Sequence, residues 1–150
     1  HGGPLAIRGT EGLVVAYGKC CYPLPGEPVV GHLSSGRGLV VHLEVCRNLA
    51  ELRERNEALI PVRWAAEVDG EYSVELRVEV EARKGVIAEL AAEITDADAN
   101  IERINIAERN AHLSTVVIAL LVRDRVHLAR IMRRLRRLTP VIGLARTRNI

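Results

Sequence analysis

Phenylalanine is absent from this chain, and aromatic residues together make up 3% of its 150 residues. Its cores must therefore be built from Val, Ile, Leu and Ala. The same shortage argues against aromatic platforms that stack the bases of single-stranded nucleic acid. No apolar run approaches the roughly 20 residues that would cross a bilayer as a helix. Cysteine is scarce and odd in number: Cys20, Cys21 and Cys46. Adjacent cysteines close only a strained disulfide, so a reducing, cytoplasmic setting is expected. Methionine occurs only at Met132, and the chain begins at His1 without a signal-peptide pattern. It reads as a piece of a longer protein, with His1 to Gly3 as a tag remnant.

What is present is ordinary for a folded chain, at 48% hydrophobic and 27% charged residues with 12 Gly and 6 Pro. Disorder and fibrous repeats are excluded. Charge is unevenly placed. Residues 1–43 carry a net +1, residues 44–122 a net −7, and residues 123–150 a net +8. A basic C-terminal section behind an acidic middle asks for an explanation.

The first half consists of short apolar runs cut by turn residues. Leu13 to Tyr17, Val29 to Leu33 and Leu39 to Leu43 read as strands, with loop chemistry from Cys20 to Pro28. Cys46 to Leu59 has helical spacing and is expected to stop at Pro61, after which Val62 to Ala65 returns as an edge strand. Glu67 to Glu71, containing Asp69-Gly70, is the linker candidate. The second half is more regular. Ser73 to Ala82 alternates strictly, so one sheet face is buried and helices cover a single side. Ile87, Leu90, Ala91, Ile94 and Ala97 recur at helical spacing. Asn100 to Ile106 and Leu113 to Val122 are strands. Asp124 caps a helix with a Leu128, Ile131, Met132 and Leu135 stripe, and Val141 to Arg148 is a last strand. The order βαββαβ is the ferredoxin-like plan. The fold class is α+β, with modules at 1–66 and 72–150 and a linker at 67–71.

Several motifs carry a family likeness. They are Arg8-Gly9-Thr10-Glu11-Gly12, Tyr17 to Glu27 with its Cys-Cys-x-Pro-x-Pro-Gly core, Gly36 to His42, and Cys46-Arg47-Asn48-Leu49. Together they resemble the conserved-cysteine, zinc-finger-like module of long RelA/SpoT proteins, and the second half resembles the ACT domain that follows it. Val122 to Met132 is most similar to the SpoT or bifunctional Rel branch. The resemblance implies the regulatory region of a (p)ppGpp synthetase/hydrolase, with the catalytic domains elsewhere and no catalytic residue here.

Three sites follow. Cys20, Cys21, His42 and Cys46 have the chemistry of a tetrahedral zinc set, His42 and Cys46 being joined by a three-residue spacer. Neighbouring thiolates must splay to share an ion. Three packed thiols with His42 hydrogen-bonded nearby, a His-activated nucleophile, or a redox-sensing pair are the other readings. At the ACT loop, Arg83, Lys84, Gly85, Val86 and Ile87 sit where the resemblance puts an amino-acid ligand, with Asn100 and Ile101 at the next strand. A helix N-terminus offers unpaired N–H groups to a carboxylate. Ala82 replaces a polar residue found in serine-binding relatives, which leaves a branched-chain amino acid. The alternative is a plain glycine turn. On the last helix, Arg130, Arg133, Arg134 and Arg137 form a cationic face suited to phosphates. The resemblance implies docking on the ribosome near rRNA and tRNA, and the alternative is a solvated face paired with Glu89 or Glu93. An ACT-mediated homodimer is expected, and a purely structural dimerising module remains the competing function.

Overall fold

The structure, a computed structural model, describes residues 5–9 and 15–150. The chain divides into two compact units. One comprises His1–Tyr72 with Arg148–Ile150, and the other Ser73–Thr147. The sequence-expected strand from Leu13 is described only from Val15, since Leu13 and Val14 lie outside the described residues.

The first unit is a five-stranded mixed sheet and one short helix. Its elements are β1 (Leu5–Ile7), β2 (Val15–Tyr17), β3 (Val29–Ser34), β4 (Gly38–Leu43), α1 (Asn48–Glu54) and β5 (Leu59–Trp64), with strand order β1-β5-β3-β4-β2. Two expectations are corrected here. The helix does not run from Cys46 to Leu59 but ends at Glu54. Asn56 takes a left-handed conformation (φ 55°), and Glu57 N–H donates to the Leu52 carbonyl at 3.0 Å. That is a Schellman stop built on Asn, which tolerates the left-handed region without glycine. Leu59 and Pro61 then belong to β5, which is not an edge strand. It lies between β1 and β3 because Leu5–Ile7 pairs parallel to Val62–Trp64. Among the described residues the β1 ladder begins at Val62, which leaves Pro61 outside it.

Ile7, Val29, Leu39, Val41 and Val62 form the apolar core of one sheet face, with Tyr17 and Trp64 packed against it. The opposite face carries His32 and His42. Cys21, Leu43, Cys46 and Leu49 make a second small core, with Val30, Leu52 and Leu59 at its margin. With so few aromatics, Tyr17, Trp64 and Tyr72 are gathered into one cluster with ring centroids 5.3–5.9 Å apart.

The second unit is the expected ferredoxin-like ββ-α sandwich. It runs β6 (Tyr72–Glu81), α2 (Val86–Asp96), β7 (Asn100–Arg109), β8 (Leu113–Val122), α3 (Arg125–Arg136) and β9 (Val141–Arg146), in sheet order β7-β8-β6-β9. Val74, Leu76, Val78 and Val80 are fully buried, while Arg77, Glu79 and Glu81 face solvent. The alternation thus buries one face only, under α2 and α3. Leu90, Ile94, Leu128, Ile131 and Leu135 supply the helix side of that core. Asp124 caps α3, its Oδ1 accepting the His127 N–H at 2.8 Å. β7 extends three residues beyond Ile106 and is an edge strand, most of it exposed. Among the described residues no helix is long and apolar enough to cross a membrane.

Candidate functional site

The loop after β2 determines the geometry of the cysteine cluster. Gly18 N–H donates to the Val41 carbonyl at 2.8 Å, and the Gly18 carbonyl accepts from Tyr22 N–H at 2.8 Å. Tyr22 is left-handed (φ 47°), so the chain turns sharply straight after Cys20-Cys21. Glu27 locks the rest of the loop, its Oε1 accepting from Leu24 N–H at 2.8 Å. The turn leaves both sulfurs on the same side as His42, which β4 presents, and Cys46, which precedes α1.

All four donor atoms lie within 4.8 Å of one another. Cys20 Sγ is 3.3 Å from His42 Nδ1, 3.5 Å from Cys46 Sγ and 3.8 Å from Cys21 Sγ, and Cys21 Sγ is 3.8 Å from His42 Nδ1. Zinc bonds of about 2.0–2.3 Å directed to tetrahedral corners set such donors roughly 3.3–3.8 Å apart. Four of the six donor pairs have that spacing and all lie within 4.8 Å, so the cluster could hold a metal as a Cys3His set. Cys21 and Cys46 are buried, and Cys20 is partly exposed. Leu43 N–H donates to Cys21 Sγ at 3.3 Å, the kind of outer contact that steadies a thiolate ligand.

Electrostatics in the metal-free chain oppose charge at this point. Burial pushes the Cys21 thiol well above its ordinary range, with Cys20 and Cys46 adding to the effect against the Leu43 N–H. Burial likewise raises Cys46, opposed by the Asn48 N–H. His42 is held below its ordinary value by burial, then by the neighbouring His32 and Arg37. A divalent ion would reverse this balance by stabilising the thiolates directly. His32 stands on the same sheet face, its ring 6.4 Å from that of His42, with Nε2 3.0 Å from Glu57 Oε1. No acid lies on His42 itself, so a base-orienting partner for a cysteine nucleophile is missing among the described residues.

The ACT loop builds a second feature. Gly85, at φ 82°, turns the chain into α2, and no side chain caps that helix. Arg83, Lys84, Gly85, Val86 and Ile87 line a cleft of about 360 Å³ together with Ala82, Ile106, Arg109 and Ser114. The last three come from the β7–β8 hairpin, where Arg109 pairs with Ser114. The hairpin turns at Asn110, whose Oδ1 accepts the N–H groups of His112 and Leu113 at 2.8 Å. Arg83 is committed to Glu89, at 3.1 Å. Lys84 and Arg109 are exposed cations with no ion pair among the described residues. Asn100 and Ile101 start β7, at the other end of a strand about 30 Å long, and do not line this cleft.

On α3 the arginines divide into two groups. Arg134 pairs with Glu93 at 2.8 Å and donates to the Asp96 carbonyl at 3.2 Å. Arg130 donates to the Ala97 carbonyl at 3.3 Å, beside the His127 Nε2 contact to the same oxygen at 2.8 Å. These cations close the C-terminus of α2, where partial negative charge gathers. Arg125, Arg133, Arg136 and Arg137 are exposed and have no ion pair among the described residues. The helical period from Asp124 puts Arg125 and Arg136 on the outer face with Arg133.

The chain thus carries a thiol-imidazole cluster on a small mixed sheet and a one-sided ferredoxin-like unit with a cleft of about 360 Å³. Residues 5–65 match the RelA/SpoT RIS domain and residues 69–146 match the ACT domain. The chain belongs to the RelA/SpoT family, of whose regulatory region it carries the RIS and ACT domains. It is 40% identical over 147 residues to the bifunctional (p)ppGpp synthase/hydrolase SpoT of Escherichia coli K12, covering 98% of this chain and 21% of that protein. It is 27% identical over 148 residues to the GTP pyrophosphokinase of the same organism, covering 96% and 20%. The crystallised ACT domain of a Chlorobium tepidum GTP pyrophosphokinase covers 51% of this chain and 99% of its own, with 21% identity and a TM-score of 0.46. The chain spans about a fifth of the length of the curated relatives it matches. The matched domains are regulatory and not catalytic.

Proposed function

We propose that this chain controls the distant catalytic domains of a (p)ppGpp synthetase/hydrolase by docking on ribosomal RNA, with zinc holding its first unit in shape. The observation that carries the docking is the outer face of α3, where Arg125, Arg133, Arg136 and Arg137 are all solvent-facing and unpaired among the described residues. Four guanidinium groups on one rigid helix suit the phosphate backbone of folded RNA, read by shape and charge. Arg130 and Arg134 take the smaller part, since the carbonyl end of α2 already engages them. Zinc at Cys20, Cys21, His42 and Cys46 would act as a structural ion, closing two loops that have little apolar core of their own.

Binding of the chain to ribosomes should weaken as salt rises. Arg133→Ala should lower the slope of log affinity against log salt by about 1 and weaken binding to all RNA sequences alike. Sedimentation with ribosomes across a salt series measures both. An unchanged slope for Arg133→Ala and Arg136→Ala would overturn the docking reading.

A second reading is favoured by the cleft at α2. Apolar Val86, Ile87 and Ile106 lie beside Lys84, Arg109 and the uncapped helix N-terminus. That combination suits the carboxylate and side chain of a branched-chain amino acid. Pairing two copies antiparallel along the exposed β7 would carry Asn100 and Ile101 of one copy toward the Arg109 end of the other. The dimer thereby accounts for two residues that one copy leaves far from the cleft. Titration calorimetry with valine, leucine and isoleucine should show saturable heat that Arg109→Ala removes. Absence of heat at millimolar ligand sinks this reading and leaves a cleft that only shapes the turn.

A further inference from the structure

The last three residues, Arg148–Ile150, belong to the first unit, although the strand they follow, β9, belongs to the second. Asn149 is the centre of their contacts. Its N–H donates to the Cys20 carbonyl at 2.8 Å, and its carbonyl accepts the Arg47 N–H at 2.8 Å. Its Nδ2 donates to Asn48 Oδ1 at 2.9 Å. Cys20 lies on the loop between β2 and β3, and Arg47 follows Cys46 on the connection from β4 to α1. The loop and the connection meet directly at their far ends, where Glu44 N–H donates to the Pro28 carbonyl at 2.9 Å, and the Asn149 peptide bridges them at the Cys20 and Arg47 ends.

We propose that Asn149 is a positioning residue for the metal centre, stapling the Cys20 loop to the Cys46 segment. The metal readout rests on the zinc reading above, whereas the staple itself rests on hydrogen bonds independent of any ion. Cys20 depends on it most. Its sulfur touches the other three donors, yet it is the one partly exposed member of the set. Cys21, by contrast, is already held by the Leu43 N–H. Four donors must hold tetrahedral spacing together, so a loose Cys20 loop would cost affinity even with every ligand present. By linkage, an ion that favours the docked tail is favoured by it to the same degree.

The test compares the full 150-residue chain with a form ending at Thr147, with Asn149→Pro and with Asn149→Ala. Proline removes the N–H that reaches Cys20, while alanine removes only the side chain and keeps both backbone bonds. Zinc affinity is read by competition with a chromophoric chelator. Alkylation of Cys20 by iodoacetamide in excess EDTA is read in parallel. Truncation and Asn149→Pro should weaken zinc on the order of tenfold or more and speed Cys20 alkylation in the metal-free chain. Asn149→Ala should do markedly less. Trp64 fluorescence reports whether the unit stays folded, and if truncation unfolds it, the point substitutions carry the test. Zinc affinities within about twofold of the full chain, with unchanged alkylation, overturn the staple. A full chain that takes up no zinc refutes the zinc reading instead, and the alkylation rates then judge the staple alone.

Discussion

Cys21→Ser will lower the zinc affinity of this chain by more than about 100-fold, beyond the span usual for losing an outer-shell contact. Cys21 is wholly buried, with its sulfur 3.8 Å from both Cys20 Sγ and His42 Nδ1. Serine keeps the shape and the acceptor for Leu43 N–H but offers a hard, protonated oxygen where zinc selects a thiolate. Three donors would remain, an open set that suits a catalytic ion better than a structural one. Chelator competition measures the change, and native mass spectrometry counts the bound ions. Equal zinc content in the two chains would refute the Cys3His assignment. Burial pushes the Cys21 and Cys46 thiols up, so loading releases protons and affinity falls as pH falls. The metal-free chain has its own pH dependence through His42, held below its ordinary value of 6.5. A depressed folded-state value contributes stability above pH 6.5 that is lost as pH falls through the folded value. Urea unfolding in EDTA, followed downward from pH 7, should therefore show a decline below 6.5 that His42→Asn abolishes.

Gly18→Ala should destabilise the first unit by about 1–3 kcal/mol, the usual cost of overpacking, and weaken zinc along with it. A Cβ at position 18 would stand 2.8 Å from His42 Nδ1, 2.9 Å from its Cε1 and 3.3 Å from Cys20 Sγ. Backbone freedom is not the reason for glycine here. The reason is close approach: the loop passes so near the imidazole that a methyl group displaces a donor atom. His42 has little room to yield, being 8% exposed within a strand paired on both sides. Gly36→Ala, where a Cβ meets nothing within 4 Å but the left-handed backbone is strained, separates steric displacement from strain, since it should reduce stability without touching zinc. Equal zinc affinity for Gly18→Ala and the unaltered chain would show that the imidazole can move aside.

The legibility of this chain differs between its halves. Strict alternation from Ser73 to Ala82 and the Leu128, Ile131 and Leu135 stripe specify a one-sided sheet with covering helices, because periods of 2 and 3.6 leave few other ways to bury the same residues. The first half has short strands and no sustained period. Leu5–Ile7 carries three apolar residues with no pattern, so its parallel pairing with β5, and with it the inner position of Pro61, was illegible. The stops of α1 and α2 use Asn56 and Asp98 in the left-handed region, where a glycine would have announced them.

The candidate metal residues were legible by type and by likeness to a family, but not by spacing, since adjacent cysteines are an unusual pair of ligands. The left-handed Tyr22 and the close pass of Gly18 bring the two sulfurs toward His42, and both are three-dimensional facts. The split among the arginines was equally hidden. Arg134 and Glu93 are 41 residues apart, and only the packing of α3 on α2 joins them.

Residue order alone determined the α+β class, the ferredoxin-like second half, the amphipathic faces and the list of side chains able to bind metal, anion or phosphate. These follow from local periodicity and from the chemistry each side chain carries wherever it stands. Tertiary structure decided which of those groups meet. It set four donors within tetrahedral reach, placed Ile106 and Arg109 at the α2 cleft, engaged Arg130 and Arg134 while leaving Arg133 and Arg136 outward, and returned Asn149 to the cysteine loops. The physical reason is that such meetings join positions tens of residues apart, which only chain folding and side-chain packing can bring within a few ångströms.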